Sequence, residues 1–393
     1  MSKLEECILG DLVEFQRGYD LPKSKFVEGK YPVQSSNGIL GYHNEYKVEG
    51  PGITIGRSGT VGTPHLIREN FFPHNTSLFV KEFKGNDIEY IYYLLQYLDL
   101  GNQKSGSGVP TMNRNHLHPI KIRAYRDKTY QQRTIKILSL IDKKIQINNQ
   151  INQELEAMAK TLYDYWFVQF DFPDQNGKPY KSSGGKMVYH PELKREIPEG
   201  WGVEKLGELA QFKNGINYEK TSSGSEKVKI INVRNISSSR IFINQTDLDE
   251  IFLENDKSTN FIVNEGMILI TRSGIPGATR LVSELEAKTV YSGFIIASEV
   301  NDLIYKNLIF YYLKNVEEVL KNQSAGTIMK NISQSVLTDM VVSLPPQNLL
   351  LKFNSIIDNL LEQMKNVQRQ NQELTQLRDW LLPMLMNGQV KVE

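Results

Sequence analysis

Every block in the first half of this 393-residue chain returns in the same order about 200 residues later, so any fold must be built twice from one plan. Leu9-Gly10-Asp11-Leu12 with Phe15 and Gly18 returns as Leu206-Gly207-Glu208-Leu209 with Phe212 and Gly215, an offset of 197. Arg57-Ser58-Gly59 returns as Arg272-Ser273-Gly274, offset 215. Ile91-Tyr92-Tyr93-Leu94 becomes Phe310-Tyr311-Tyr312-Leu313, and a Gly/Ser loop ending Gly108…Asn113 becomes Ala325-Gly326…Asn331. Each copy closes on one long helical pattern, with Ile141-Asp142 and Asn152-Gln153-Glu154-Leu155 matching Ile357-Asp358 and Asn371-Gln372-Glu373-Leu374. Such a chain does one job at two places.

Each long pattern has a heptad seam. Leu138, Ile141, Ile145, Asn148, Asn152, Leu155, Ala159, Leu162 and Trp166 step by three and four, as do Phe353, Ile357, Leu360, Met364, Val367, Asn371, Leu374, Arg378 and Leu381. About 40 residues from Asp127 to Val168 make a rod near 60 Å, more than one small domain covers, so the two rods are expected to pair through Asn152, Leu155, Asn371 and Leu374. A seam Asn costs stability and fixes register. The other reading lays each amphipathic helix on its own domain, with the Asn at a wet edge. Before each rod lie short β-type runs such as Gly52–Ile55, Ser77–Val80, Met267–Ile270 and Ile295–Ala297. One helix accompanies them, Asp87 to Leu98 or Asp302 to Leu320, whose aromatic residues recur at core spacing. The expected fold class is α+β: two repeated globular domains separated by two long paired helices. The expected segments are 1–126, 127–170, 171–202, 203–345 and 346–393. The 171–202 connector, with Pro173, Pro179, Pro191 and Pro198, is too long for a plain loop and is expected to lie along a surface.

Several function classes lack their chemistry here. One cysteine, Cys7, gives no disulfide framework and a reducing cytoplasm as the default; no basic-then-apolar leader and no membrane-length apolar run is present. There is no Asn-Pro-Pro-aromatic run of an adenine methyltransferase, and Ser183-Gly184-Gly185-Lys186 lacks the upstream glycine and following hydroxyl of a phosphate loop. His116-Leu117-His118 has no further ligand at metal spacing, and nothing in sequence activates Cys7. No catalytic residue, metal site or cofactor is expected on this chain. Net charge is +1, from 46 basic and 45 acidic residues, so any surface for a polyanion must be local. His43, His65, His74, His116 and His118 all lie in the first copy and mark where the copies differ.

The repeated loops offer contacts for a polar, anionic surface. Arg57-Ser58-Gly59 and Arg272-Ser273-Gly274 each follow a strand and supply a guanidinium fork, a hydroxyl and a residue allowing close backbone approach. Lys104, Ser105, Ser107, Asn113 and Arg114 in one copy, and Thr327, Lys330 and Asn331 in the other, suit phosphate and base-edge hydrogen bonds. Gln34, Asn37, His43, Arg234 and Asn235 are lower-ranked candidates. The alternative for any one of these residues is a turn or a helix cap.

Over its whole length the chain resembles the specificity subunit of a type I restriction-modification system. The repeat carries the resemblance, with Trp166-Phe167-Val168-Gln169-Phe170-Asp171-Phe172, the connector Gly177-Lys178-Pro179-Tyr180-Lys181-Ser182-Ser183-Gly184-Gly185, Ile197-Pro198-Glu199-Gly200-Trp201, and the tail from Leu381 to Val390. The resemblance implies two target-recognition domains, each reading half of a split site in double-stranded DNA, and two helices that pair as an antiparallel coiled coil and act as a ruler. It also implies partners. Two methyltransferase subunits would use S-adenosylmethionine on adenine N6, two restriction subunits would use ATP and Mg, and the helices would be the docking surface. Against this stands a coiled-coil scaffold that joins proteins without touching DNA.

Overall fold

The computed structural model describes residues 4–102, 111–218, 224–322 and 331–390. The chain divides into two compact units, residues 1–148 with 370–393, and residues 149–369.

In the first unit the strands are β1 (Glu5–Ile8), β2 (Glu14–Arg17), β3 (Tyr31–Ser35), β4 (Gly38–His43), β5 (Gly52–Gly56), β6 (Pro64–Ile67), β7 (Phe72–Pro73), β8 (Ser77–Glu82) and β9 (Lys121–Ala124). The helices are α1 (Ile88–Tyr97), α2 (Arg114–Leu117) and the long α3 (Lys128–Tyr163), whose end continues as a π-turn over Asp164–Val168 in the second unit. The strands form sheets of order β2-β8-β5-β6, β4-β3-β7 and β1-β9. Strand β5 is buried along its whole length, as a central strand sandwiched on both faces must be. Its Ile53 and Ile55 meet Phe15, Leu78, Val80, Tyr90 and Leu94 in one core. Asp87 caps α1 by accepting the Tyr90 backbone N–H at 3.0 Å, and burial of Tyr90 and Tyr93 places the aromatic residues of this helix in the core.

The second unit opens on a hairpin of β10 (Met187–His190) and β11 (Arg195–Pro198), then runs β12 (Gly202–Lys205), α4 (Leu206–Leu209), β13 (Ala210–Asn214), β14 (Glu226–Ile231), α5 (Val233–Ser238), β15 (Asp249–Leu253) and α6 (Asn255–Ser258). There follow β16 (Ile268–Thr271), β17 (Thr279–Leu281), β18 (Thr289–Tyr291), β19 (Ile295–Val300), α7 (Lys306–Asn322), α8 (Gln334–Asp339), β20 (Val341–Leu344) and α9 (Gln347–Met386). Sheet orders are β13-β19-β16-β17, β15-β14-β18 and β12-β20, the same plan as in the first unit. The match extends to register. Val33 pairs with Phe72 in parallel, and Ile230 with Val290; Thr54 faces Phe79, and Leu269 faces Ala297. Alternation along β16 sends Ile268 and Ile270 into one core and Leu269 into another, with Ile231, Ile236 and Ile243.

The connector is packed. Phe170, Phe172, Ile197 and Trp201 are buried, Phe172 stacks between Tyr180 and Trp201, and the Asp171 carboxylate accepts both the Ser182 N–H at 2.7 Å and its hydroxyl at 2.6 Å. These hydrogen bonds hold the Asp171 carboxyl below the usual carboxylate range.

In the first unit, the Asn148 amide donates to Asn371 Oδ1 at 2.9 Å and Arg378 reaches Asp142 at 3.1 Å, while Leu385 and Met386 share the core with Ile135 and Leu138. In the second unit, Leu155, Ala159, Tyr163 and Trp166 share a core with Phe353, Ile357, Leu360 and Met364. Those contacts revise one detail of the seam. The amide that meets Asn371 is that of Asn148, four residues before Asn152.

Candidate nucleic-acid interface

Four segments converge in each unit. In the first, the Arg57 and Ser58 N–H groups both donate to the Thr76 carbonyl, at 2.8 and 3.2 Å, tying the β5–β6 loop to the turn before β8. The Thr60 N–H donates to Asn37 Oδ1 at 3.2 Å, adding the turn after β3. The Met112 N–H donates to the Arg57 carbonyl at 2.8 Å, adding the run into α2. In the second unit the Arg272 N–H donates to the Phe294 carbonyl at 2.8 Å, the Ile332 N–H donates to the Arg272 carbonyl at 2.9 Å, and Gly274 lies against Val233 at the start of α5.

The scaffold beneath is equally matched. His74 N–H donates to the Gln34 carbonyl at 2.8 Å, and Ser292 N–H to the Ile231 carbonyl at 3.0 Å. Gly59 and Gly274 sit at φ +84 and +83, where a side chain would be strained, so the turn after each Arg-Ser requires glycine. At Gly18 and Gly215 a Cβ would lie 2.2 and 2.3 Å from the His74 and Ser292 carbonyl oxygens, which explains why these glycines repeat. Buried Met112 and Ile332 anchor the last segment in both units.

A surface made twice from the same backbone and fitted with different side chains is suited to reading two different stretches of one polymer. A model of the type I restriction modification DNA specificity domain matches residues 1–157 and again 198–376. The chain belongs to that family. Relatives include the Type I restriction enzyme MjaIX specificity subunit of Methanocaldococcus jannaschii, 27% identical over 78% of this chain and 69% of that protein. The HindI specificity subunit of Haemophilus influenzae is 24% identical over 67% and 68%. The solved type I restriction-modification S subunit from M. genitalium shares the fold, with a TM-score of 0.56 at 17% identity, over 98% of this chain and 96% of that one.

Against the paired surfaces of this specificity-family fold, the sequence candidates separate. Arg57, Ser58, Arg272 and Ser273 are half-buried in the converging loops, and Asn37, Asn113, Arg114 and Asn331 are exposed on the segments beside them. Lys104, Ser105, Ser107, Thr327 and Lys330 lie outside the described residues. Four candidates are already committed within the fold. Gln34 is buried and its amide donates to the Ser35 carbonyl. His43 is buried, accepts the Val27 N–H at 3.1 Å through Nδ1 and packs on Phe26 and Phe72. Asn235 is buried, its Oδ1 accepting the Asn232 N–H and its amide donating to the Asp247 carbonyl. Arg234 is exposed but engaged by Asp247 and Asp249 at 3.1 and 2.8 Å, contacts that raise its pKa. Asn113 also has a structural role, capping α2 by accepting the Asn115 N–H at 3.0 Å.

That cap corrects the alignment of the loops. Met112 and Ile332 hold the same backbone bond, and Asn113 and Ser333 cap α2 and α8, so the structural counterpart of Asn113 is Ser333 and that of Asn331 is Thr111. The two asparagines match in sequence because the Gly/Ser-rich runs before them have no periodic pattern to fix the offset. The repeated motifs also leave out Thr76 and Phe294. The available signal was their shared place immediately before β8 and β19.

His118 Nε2 accepts the Phe15 N–H at 3.0 Å and is unavailable as a metal ligand in that state, while burial pushes the Cys7 thiol pKa up, away from the reactive thiolate. Among the described residues no helix is long and apolar enough to cross a membrane.

Proposed function

We propose that this chain is the non-catalytic sequence-specificity subunit of a type I restriction-modification complex and that each unit reads one half of a bipartite site in double-stranded DNA. One observation carries this reading: within a fold of the DNA specificity family, the same four backbone segments converge in both units but carry different side chains, Asn37, Thr60, Thr76 and Thr111 against Arg234, Ile275, Phe294 and Asn331. Arg57 and Arg272 occupy the same place in each and are suited to bidentate contact with guanine or phosphate.

The long helices α3 and α9 act as an antiparallel coiled coil that sets the spacing of the half-sites and docks two methyltransferase subunits. The Asn148–Asn371 hydrogen bond and the shared core of Tyr163 with Phe353 support this pairing. S-adenosylmethionine belongs to those methyltransferases, ATP and Mg to the restriction subunits, and the assembly works in the cytoplasm. The domain limits proposed are 1–126 and 203–345, with spacers 127–170 and 346–393 and the connector 171–202.

The test is co-expression with the cognate methyltransferase subunit and mapping of N6-methyladenine across host DNA. A split motif of two unlike half-sites around a fixed gap is expected. Arg57→Ala is expected to lower methylation about tenfold or more by weakening one half-site, and Arg272→Ala by weakening the other, with assembly intact. Methylation that is unchanged when this chain is omitted would instead make it a scaffold.

A further inference from the structure

We propose that Phe294, assisted by Ile275, is a specificity-determining residue that contacts the 5-methyl group of a thymine in the half-site read by the second unit; this rests on the DNA-reading function above. Phe294 is 64% exposed and Ile275 42% exposed, although both sit on tightly bonded turns. The Phe294 carbonyl accepts the Arg272 N–H at 2.8 Å, and Ile275 lies three residues after Arg272 in the same loop. The turn carrying Phe294 is fixed on both sides. Gly293 N–H donates to the Ile216 carbonyl at 2.7 Å and Ile295 N–H to the Ser292 carbonyl at 2.9 Å. Gly293 lies close against Asn217, whose Oδ1 would be 2.2 Å from a Cβ placed there.

A scattered exposed apolar side chain needs no explanation. Phe294 differs in three respects: its backbone is rigidly held, it is bonded to the candidate reading arginine, and its counterpart in the first unit is Thr76, whose Oγ1 is bonded internally to His74 at 3.0 Å. Ile275 likewise stands where the first unit has Thr60. The apolar pair is therefore a property of one reader and not of the shared scaffold. An arginine that reads base edges works in the major groove, where the thymine methyl is the distinctive apolar feature. A rigid aromatic ring beside such an arginine gains by covering that methyl and loses against cytosine, which carries only a hydrogen at C5.

The experiment uses the full methyltransferase complex and duplexes of the mapped motif in which each thymine of the second half-site is replaced in turn by deoxyuridine, which pairs identically but lacks the methyl. One position is expected to weaken binding about fourfold, the contribution of one buried methyl group. Phe294→Ala and Phe294→Thr are expected to abolish that difference while first-half-site discrimination stays intact, and Phe294→Leu to retain most of it. Insensitivity to uracil at every position, a second half-site without an A·T pair, or an unchanged uracil penalty in Phe294→Ala would overturn the proposal. Loss of site-specific binding by the wild-type complex as a whole would overturn the function proposed above together with it, and is distinguished by the absence of first-half-site discrimination.

Discussion

Individual polar residues in this chain divide by whether a hydrogen bond inside the fold has already claimed them. Arg280 and Glu317 are the extreme case, with side chains 7% and 2% exposed and 2.9 Å apart; Arg280 also donates from Nε to the Ser239 carbonyl, anchoring the end of α5. A buried pair of this kind is strongly destabilised by removing one partner, since the other charge remains desolvated. Glu317→Gln is expected to cost about 3 kcal/mol or more, read as a lowered denaturant midpoint by chemical unfolding. His118 gives a pH effect of known sign. Burial, and then the nearby Lys84 and Arg114, lower its pKa, and the acceptor role of Nε2 needs the neutral ring. Below about pH 6.5 the unfolded chain takes up a proton that the folded chain refuses, so stability is present above that pH and is lost as pH falls toward the lowered folded value. Melting temperature should fall between pH 7.5 and 5.5, and His118→Gln should fall less; an equal fall would assign the effect to other groups, such as His74, whose pKa burial also lowers.

Among the elements, α3 and α9 show how a few buried polar contacts carry both stability and alignment. Asn148 is 1% exposed and bonded to Asn371, while Arg378 on the same seam meets Asp142, which also accepts the Tyr93 hydroxyl at 2.6 Å. Asp358 in α9 similarly accepts the Asn307 amide at 2.8 Å. Single replacement of Asn148 or Asn371 by Ala should cost about 1–3 kcal/mol, because the surviving amide keeps its desolvation cost without its partner. The double replacement should cost less than the sum of the two, measured as a double-mutant cycle by denaturant unfolding. Strict additivity would show that the two amides do not act as a pair. The heptad spacing in sequence picked out both helices and their seam positions. It pointed to Asn152, whereas Asn148 is the residue that meets Asn371, because both lie on the seam and only the partner helix sets which one is opposite.

At the scale of the whole molecule, a net charge of +1 limits what the chain does alone. Surface cations such as Arg234 and Lys81 are already paired with carboxylates, which leaves less positive charge for phosphate. The isolated chain is expected to bind its site weakly. The complex with its methyltransferase subunits is expected to bind tightly, with affinity that falls steeply from 50 to 200 mM salt, measured by fluorescence anisotropy. Full affinity and the same salt slope for the isolated chain would show that the partners contribute no phosphate contacts.

The sequence by itself determined that there are two copies of one plan, in what order their elements run, where the long helices lie and which loops carry a repeated arginine. Those features are local or periodic: a heptad, an alternating strand and an Arg-Ser-Gly turn each leave a mark within a few residues of themselves. Tertiary structure alone decided that Gln34, His43 and Asn235 face inward, that Asn113 matches Ser333, and that Phe294 stands beside Arg272. These depend on the particular partner that folding brings to each group, from Ser35 beside Gln34 to Phe294 beside Arg272, and no spacing along the chain records which carbonyl a given N–H will find.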